Sequence, residues 1–157
     1  NKGMKPAINV GLSVSRVGSA AQTKAMKGVA GTMRLELAQF RELEAFMQFA
    51  QDLDEATKKR IASGRRLSEV LKQDKHKPIP FERQAMLIFA ATHALFSGVS
   101  VSRMKEAEEK LFGFIDANAA HILKDVREKR AITKETETAL VGAIGEFLDA
   151  HPEITRL

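Results

Sequence analysis

At 157 residues, with 44% hydrophobic and 29% charged side chains and a net charge of +5, the chain has the size and composition of one folded domain. It has no cysteine, which excludes a disulfide framework and a thiolate metal centre. No apolar run approaches the ~18 residues a membrane span needs, and the opening Asn1–Pro6 does not read as a signal peptide.

The first predicted element is extended. Ile8, Val10, Leu12 and Val14 alternate with polar or small residues, the period of a half-buried strand. A polar turn follows, with Arg16 at its centre and Gly18 to tighten it, and Ser19–Gln22 is expected to open a helix. This arrangement places a planar, permanently charged guanidinium at the tip of a rigid element, a geometry suited to phosphate oxygens.

From Gln22 onward the pattern is helical. A short helix is predicted from Gln22 to about Ala30, weakened by Gly28 and Gly31, and Thr32 is placed to cap the next one. In that next helix Met33, Leu37, Phe40 and Met47 recur at helical steps. A break is predicted over residues 48–53. Asp54 then caps a short helix over Glu55–Ser63, and Gly64 occupies the place of a C-terminal left-handed glycine. Arg65–Gln73 is the next short helix. A polar loop, Asp74–Pro80, carries two prolines, and Pro80 opens a helix over Phe81–Phe96 that is apolar nearly all round and reads as the buried centre.

Ser102 is predicted to cap a helix to about Ala117, and a bend near Asn118 leads to Ala119–Lys129. Thr133 caps the last helix, whose stripe is Leu140, Val141, Ile144, Phe147 and Leu148, and Pro152 stops it. Residues Phe81–Asp149 are expected to suffice for a core of their own. The fold class is therefore all-α, a bundle of about six or seven short helices, with no internal repeat.

The charge is uneven. Residues 1–78 hold 15 Lys and Arg against 8 Asp and Glu, and residues 79–157 hold 10 against 12. A basic first half suits an anionic partner, so a basic helical module binding nucleic acid, or a plain scaffold, is the alternative reading. Against nucleic acid, there is no Tyr or Trp, and the nine Phe fall mostly on predicted core faces. No GxxxxGK[ST] loop occurs, and His76, His93, His121 and His151 lack metal-ligand spacing, so no metal site is expected. His93, on the apolar helix, is expected to be a core histidine. No pair of carboxylates stands out as an acid–base dyad. Independent catalysis by this stretch is not expected.

The string PAINVGLSVSRVGSAAQTKAMKGVAGTMRLELAQFRE, followed by FAQDLDEATKKRIASGRRLSEVLKQ, closely resembles the alpha subunit of the F-type, rotary proton-translocating ATP synthase. The resemblance runs without a gap from about Lys2 to Gln73 and more loosely beyond. It implies the C-terminal part of that subunit, hence a piece of a longer protein whose P-loop lies upstream, in agreement with a first residue that is not methionine. Residues 1–21 would be the C-terminal edge of the nucleotide-binding domain, an extended remnant. Residues 22–157 would be a helical C-terminal domain wound as a left-handed superhelix.

The same resemblance implies roles. Arg16, the arginine of SVSR, would be an arginine finger that reaches the nucleotide in the catalytic site of the neighbouring beta subunit. Ser13 matches a position needed for activity, a small hydroxyl that shapes the turn. The family also has a non-catalytic nucleotide site whose adenine end is lined by an arginine-proline pair and two glutamines. Here the pair is Lys5-Pro6, the first glutamine is Gln73, and the second is replaced by Lys75, so weaker or rearranged adenine contacts are implied. Phe49, Gln51, Asp52 and Asp54 would face the rotating gamma subunit. ATP or ADP with Mg²⁺ is implied for the intact subunit and none for this stretch alone. The implied partners are the beta, gamma and delta subunits. The location would be the cytoplasmic face of the cell membrane in a bacterium, or the matrix or stroma side in an organelle.

Overall fold

The structure, a computed structural model, describes residues 15–47 and 53–155. These residues form eight α-helices and one short 3₁₀ turn: α1 Arg16–Ala21, α2 Lys24–Met47, α3 Glu55–Val70, α4 Phe81–Thr92, the turn Val101–Arg103, α5 Met104–Asn118, α6 Ala120–Lys129, α7 Lys134–Ala150 and α8 Pro152–Thr155. The all-α bundle expected from the periodicity is what forms.

α2 and α3 are each one continuous helix where the sequence suggested two. In α2 the buried positions Ala25, Val29, Ala30, Met33, Leu37 and Phe40 run along one side through both Gly28 and Gly31. Those glycines and Thr32 are exposed, with open space where the two glycine Cβ atoms would be. Packing of the apolar stripe against α3 and α4 outweighs the ~1 kcal/mol that each glycine costs a helix. The helix is capped earlier, by the Thr23 hydroxyl accepting from the Met26 N–H at 3.2 Å.

Gly64 does not end a helix. It lies buried in the middle of α3, and a Cβ there would stand 2.3 Å from Cγ of Phe40. Its function is steric: the absence of a side chain lets α3 approach α2 closely enough for the Phe40 ring to fill the space.

α4 is the centre, with Ala85 through Ala91 all buried. Fully burying each of its larger side chains stabilises the fold by about 1.5–3 kcal/mol relative to exposure. It stops at Thr92, four residues short of the expected end, because Ala94 turns into the left-handed region at φ 55°. His93 is exposed at this C-terminus and is not a core residue; its Nδ1 lies 2.9 Å from the Phe89 carbonyl oxygen and its ring stacks on Phe89. Two long-range ion pairs fix the start of α4. Arg127 on α6 reaches the buried Glu82 carboxylate, Nε to Oε1 at 2.8 Å. Arg83 donates to both carboxylate oxygens of Asp116 on α5 at 2.7 and 2.8 Å, and its guanidinium lies over the Phe112 ring.

One core spans the molecule, from Ala25 in α2 to Ile154 in α8. The second half does not close its own core, since α2 and α3 supply much of what covers α4. Thr133 caps α7 as expected, accepting from Thr136 N–H at 3.3 Å. Val141, in the expected stripe, is 44% exposed. Ser102 caps nothing: it lies within the 3₁₀ turn that leads into α5. Pro152 ends α7 and at once begins α8.

Candidate functional site

Arg16 is the first residue of α1. Ser15 caps that helix, its Oγ accepting from the Gly18 N–H at 2.9 Å, so the helix opens three residues before the expected start. The turn chemistry expected of Gly18 is replaced by this cap. α1 buries none of its residues, Arg16 is exposed, and the neighbouring Val17 is 81% exposed. The guanidinium is thus carried on a capped, six-residue helix none of whose residues is buried. Ser13, Lys5 and Pro6 lie outside the described residues.

Gln73 and Lys75 lie together in the loop that leaves α3. The Gln73 Nε2 donates to the Lys77 carbonyl oxygen at 2.6 Å, which folds the loop on itself. Its carboxamide oxygen accepts nothing among the described residues, and so remains open as an acceptor. Asp74 anchors the loop to α5 through Lys105 at 3.2 Å. The hydrogen bond from Lys105 holds the Asp74 carboxyl below its usual range. Lys75 is exposed and ion-paired to no described residue. His76 turns the loop in the left-handed region, at φ 63°.

Asp54 lies at the other end of α3. It is exposed and is the N-cap, its Oδ1 accepting from the Thr57 N–H at 2.7 Å. Hydrogen bonds from Thr57, from its side chain first and then its backbone, hold the Asp54 carboxyl below the ordinary carboxylate range. The remaining expected members of that set, Phe49, Gln51 and Asp52, lie outside the described residues. Sixteen helical residues separate Asp54 from the Gln73 loop, roughly 24 Å of rise. The two sets are therefore distinct places at opposite ends of one helix.

Other charged groups had no signal in the one-dimensional pattern. Glu36 on α2 is pushed up by burial, with the charge of His93 opposing. Glu108 on α5 is buried and likewise pushed up by burial, with Lys105 opposing. Arg66 on α3 donates through Nε to the Val99 carbonyl oxygen at 2.6 Å, 33 residues away. No set of three His, Cys, Asp or Glu among the described residues is arranged to hold a metal, and no described helix is long and apolar enough to cross a membrane.

A protein-family model described as ATP synthase alpha/beta chain, C terminal domain, matches residues 22–147. The chain belongs to this family. As a member of the ATP synthase alpha/beta C-terminal domain family it is similar to relatives named ATP synthase subunit alpha. The one from Aquifex aeolicus is 53% identical over 147 residues, covering 94% of this chain and 29% of the relative. That from Wolinella succinogenes is 52% identical over the same length and shares. That from Helicobacter acinonychis is 50% identical over 151 residues, 96% of this chain and 30% of the relative. The chain thus spans about three-tenths of the length of these relatives, and what it matches is the C-terminal part of an alpha subunit.

Proposed function

We propose that this chain is the C-terminal part of the alpha subunit of a rotary, proton-translocating ATP synthase, and that it serves catalysis in trans. The observation that carries the reading is the similarity to alpha subunits over 94% of the chain, including the segment that holds the SVSR string. Residues 1–21 belong to the edge of the preceding nucleotide-binding domain, and residues 22–157 form the helical C-terminal domain.

In the assembled hexamer of alternating alpha and beta subunits, Arg16 reaches the phosphates held by the neighbouring beta subunit. Phosphoryl transfer spreads negative charge over the equatorial oxygens, and a prepositioned guanidinium stabilises that charge. The exposed position of Arg16 on a helix that buries nothing of itself agrees with this role. Ser13 shapes the approach to the helix. At the non-catalytic site, the open carboxamide oxygen of Gln73 is suited to accept from the adenine amino group, while Lys75 and Lys5 supply cations in place of the family's glutamine and arginine. The ligand proposed for these sites is ATP or ADP with Mg²⁺, whose net negative charge suits the cations Arg16, Lys5 and Lys75. The nucleotide's chemistry is its own; these residues bind and orient it.

Phe49, Gln51, Asp52 and Asp54, which in sequence fall between α2 and α3, face the gamma subunit, and α2 and α3 themselves pack closely through Gly64 and Phe40. Such a stiff helical pair transmits the push of a rotor to the bundle. The delta subunit is a further partner, and the assembly is peripheral to the membrane. The test is reconstitution: with Arg16→Lys in the full-length alpha subunit, assembly and nucleotide binding to beta persist, while multisite turnover falls by orders of magnitude. Lysine keeps the charge but not the planar fork. Turnover near that of the parent with Arg16→Ala would end the proposal.

A further inference from the structure

The loop between α3 and α4 that carries Gln73 and Lys75 is held at three points. In its middle, the Lys77 N–H donates to the Asp74 carbonyl oxygen at 3.2 Å and closes a turn, with His76, the third residue of that turn, in the left-handed region. At its far end, Gln84 donates through Nε2 to the Ile79 carbonyl oxygen at 2.6 Å. At its near end, the Asp74 carboxylate meets Lys105 Nζ at 3.2 Å and, more distantly, Lys77 Nζ at 3.4 Å. Of these, the Lys105 contact reaches the loop from α5, outside the segment that the loop connects.

The near-end contacts run in series. Lys105 holds the Asp74 carboxylate, Asp74 begins the turn, the turn places the Lys77 carbonyl, and that carbonyl receives the Gln73 Nε2 at 2.6 Å. A carbonyl oxygen only accepts, so this bond also fixes which way round the carboxamide lies: its nitrogen is turned to the loop and its oxygen is left open. An oxygen presented in this way accepts from an amino group and repels another carbonyl. We propose that Lys105 and Asp74 are positioning residues for Gln73, and that their pairing makes the site prefer a purine with an amino group at C6 over one with a carbonyl there. The inference rests on the reading of Gln73 as an adenine contact of the non-catalytic site.

The test is equilibrium binding of Mg-ATP and of Mg-inosine triphosphate, which carries the carbonyl, to the full-length alpha subunit. The parent should prefer Mg-ATP. Lys105→Met should lower that preference by about two- to fivefold, the scale of an exposed ion pair. Asp74→Asn, which leaves the Lys105 charge in place, should lower it as much; a bare attraction of Lys105 for the phosphates would instead leave the preference alone. Lys105→Arg still pairs with Asp74 and should keep the parent preference. The double variant Asp74→Asn, Lys105→Met should be no worse than either single change, since both break one contact. Lys105, Asp74 and Gln73 are exposed, so none of these changes disturbs the core. Gln73→Ala separates the two claims, and should abolish the preference. If the parent binds both nucleotides alike, or Gln73→Ala keeps the parent preference, the adenine reading falls and takes the positioning role with it. If Gln73→Ala abolishes the preference while Lys105→Met and Asp74→Asn retain it in full, the positioning role alone is overturned.

Discussion

Gly64→Ala should destabilise the bundle, although alanine is the better helix former. The added Cβ would stand 2.3 Å from Cγ and 2.5 Å from Cβ and Cδ2 of Phe40, and Phe40 is itself 7% exposed with little room to turn away. Overpacking a site of this kind costs about 1–3 kcal/mol. Helix propensity returns at most ~1 kcal/mol. An approach of 2.3 Å puts the cost in the upper part of that range, about 2–3 kcal/mol, so the balance is a net loss of about 1–2 kcal/mol, or a fall in Tm of roughly 2–8 °C for a chain of this size. Gly28→Ala and Gly31→Ala supply the control, since both lie in α2 with nothing within 4 Å of the new atom. Each should gain up to ~1 kcal/mol. The assay is thermal and urea unfolding followed by circular dichroism at 222 nm. Phe40→Leu in the Gly64→Ala background should recover part of the loss, because the two changes share one volume. If Gly64→Ala proves as stable as the parent, or gains like the other two, the close approach of α2 and α3 is wrong.

Arg127→Ala leaves the Glu82 carboxylate buried without its partner, and should cost about 1–3 kcal/mol, read as a lower urea midpoint at unchanged m-value; Glu82→Gln in the same background should restore part of it. Glu108 has its carboxyl pushed up by burial, so the folded state binds its proton more tightly than the unfolded chain does. Its contribution is favourable at low pH and is lost as pH rises from the ordinary carboxylate value through the raised folded one; Glu108→Gln should therefore be more stable than the parent at neutral pH, with the gap closing on acidification. Asp54 has the opposite sign. Its depressed folded value means that the stability it adds is present above the ordinary aspartate range and disappears as pH falls through the folded value, so Asp54→Ala should match the parent only at strongly acidic pH, and the Thr57 amide should exchange faster in the variant at neutral pH.

What could be read along the chain was what is decided within a turn. Asp54 and Thr133 cap helices because a side-chain oxygen meets an N–H three residues on, and the sequence places both atoms. The burial of α4 was legible in its unbroken apolar composition. The glycines were misread because a one-dimensional pattern treats glycine as punctuation. Gly64 marks a helix contact 24 residues removed in sequence, at Phe40, and Gly28 and Gly31 ride on a helix held by its other face. His93 carried the same ambiguity: on an apolar helix it read as core, but the helix ends one residue earlier and the ring closes that end from outside. The pairs Glu82–Arg127 and Arg66–Val99 join residues 45 and 33 apart, and no local pattern announces them. The candidate site divides likewise. The alternating run and polar turn single out Arg16 as a presented cation, but only a resemblance of strings suggests its role and that of Gln73; the structure adds the Ser15 cap beside the one and the hydrogen bond that folds the loop of the other.

In the proposed function, the Arg16 guanidinium acts on a nucleotide bound by a different polypeptide. The direct measurement is a structure of the assembled hexamer with Mg-ADP and a fluoroaluminate transition-state mimic in a beta site. Guanidinium nitrogens are expected within hydrogen-bond reach of the mimic, about 2.7–3.1 Å. A side chain turned to solvent and distant from the ligand in every catalytic site would contradict it.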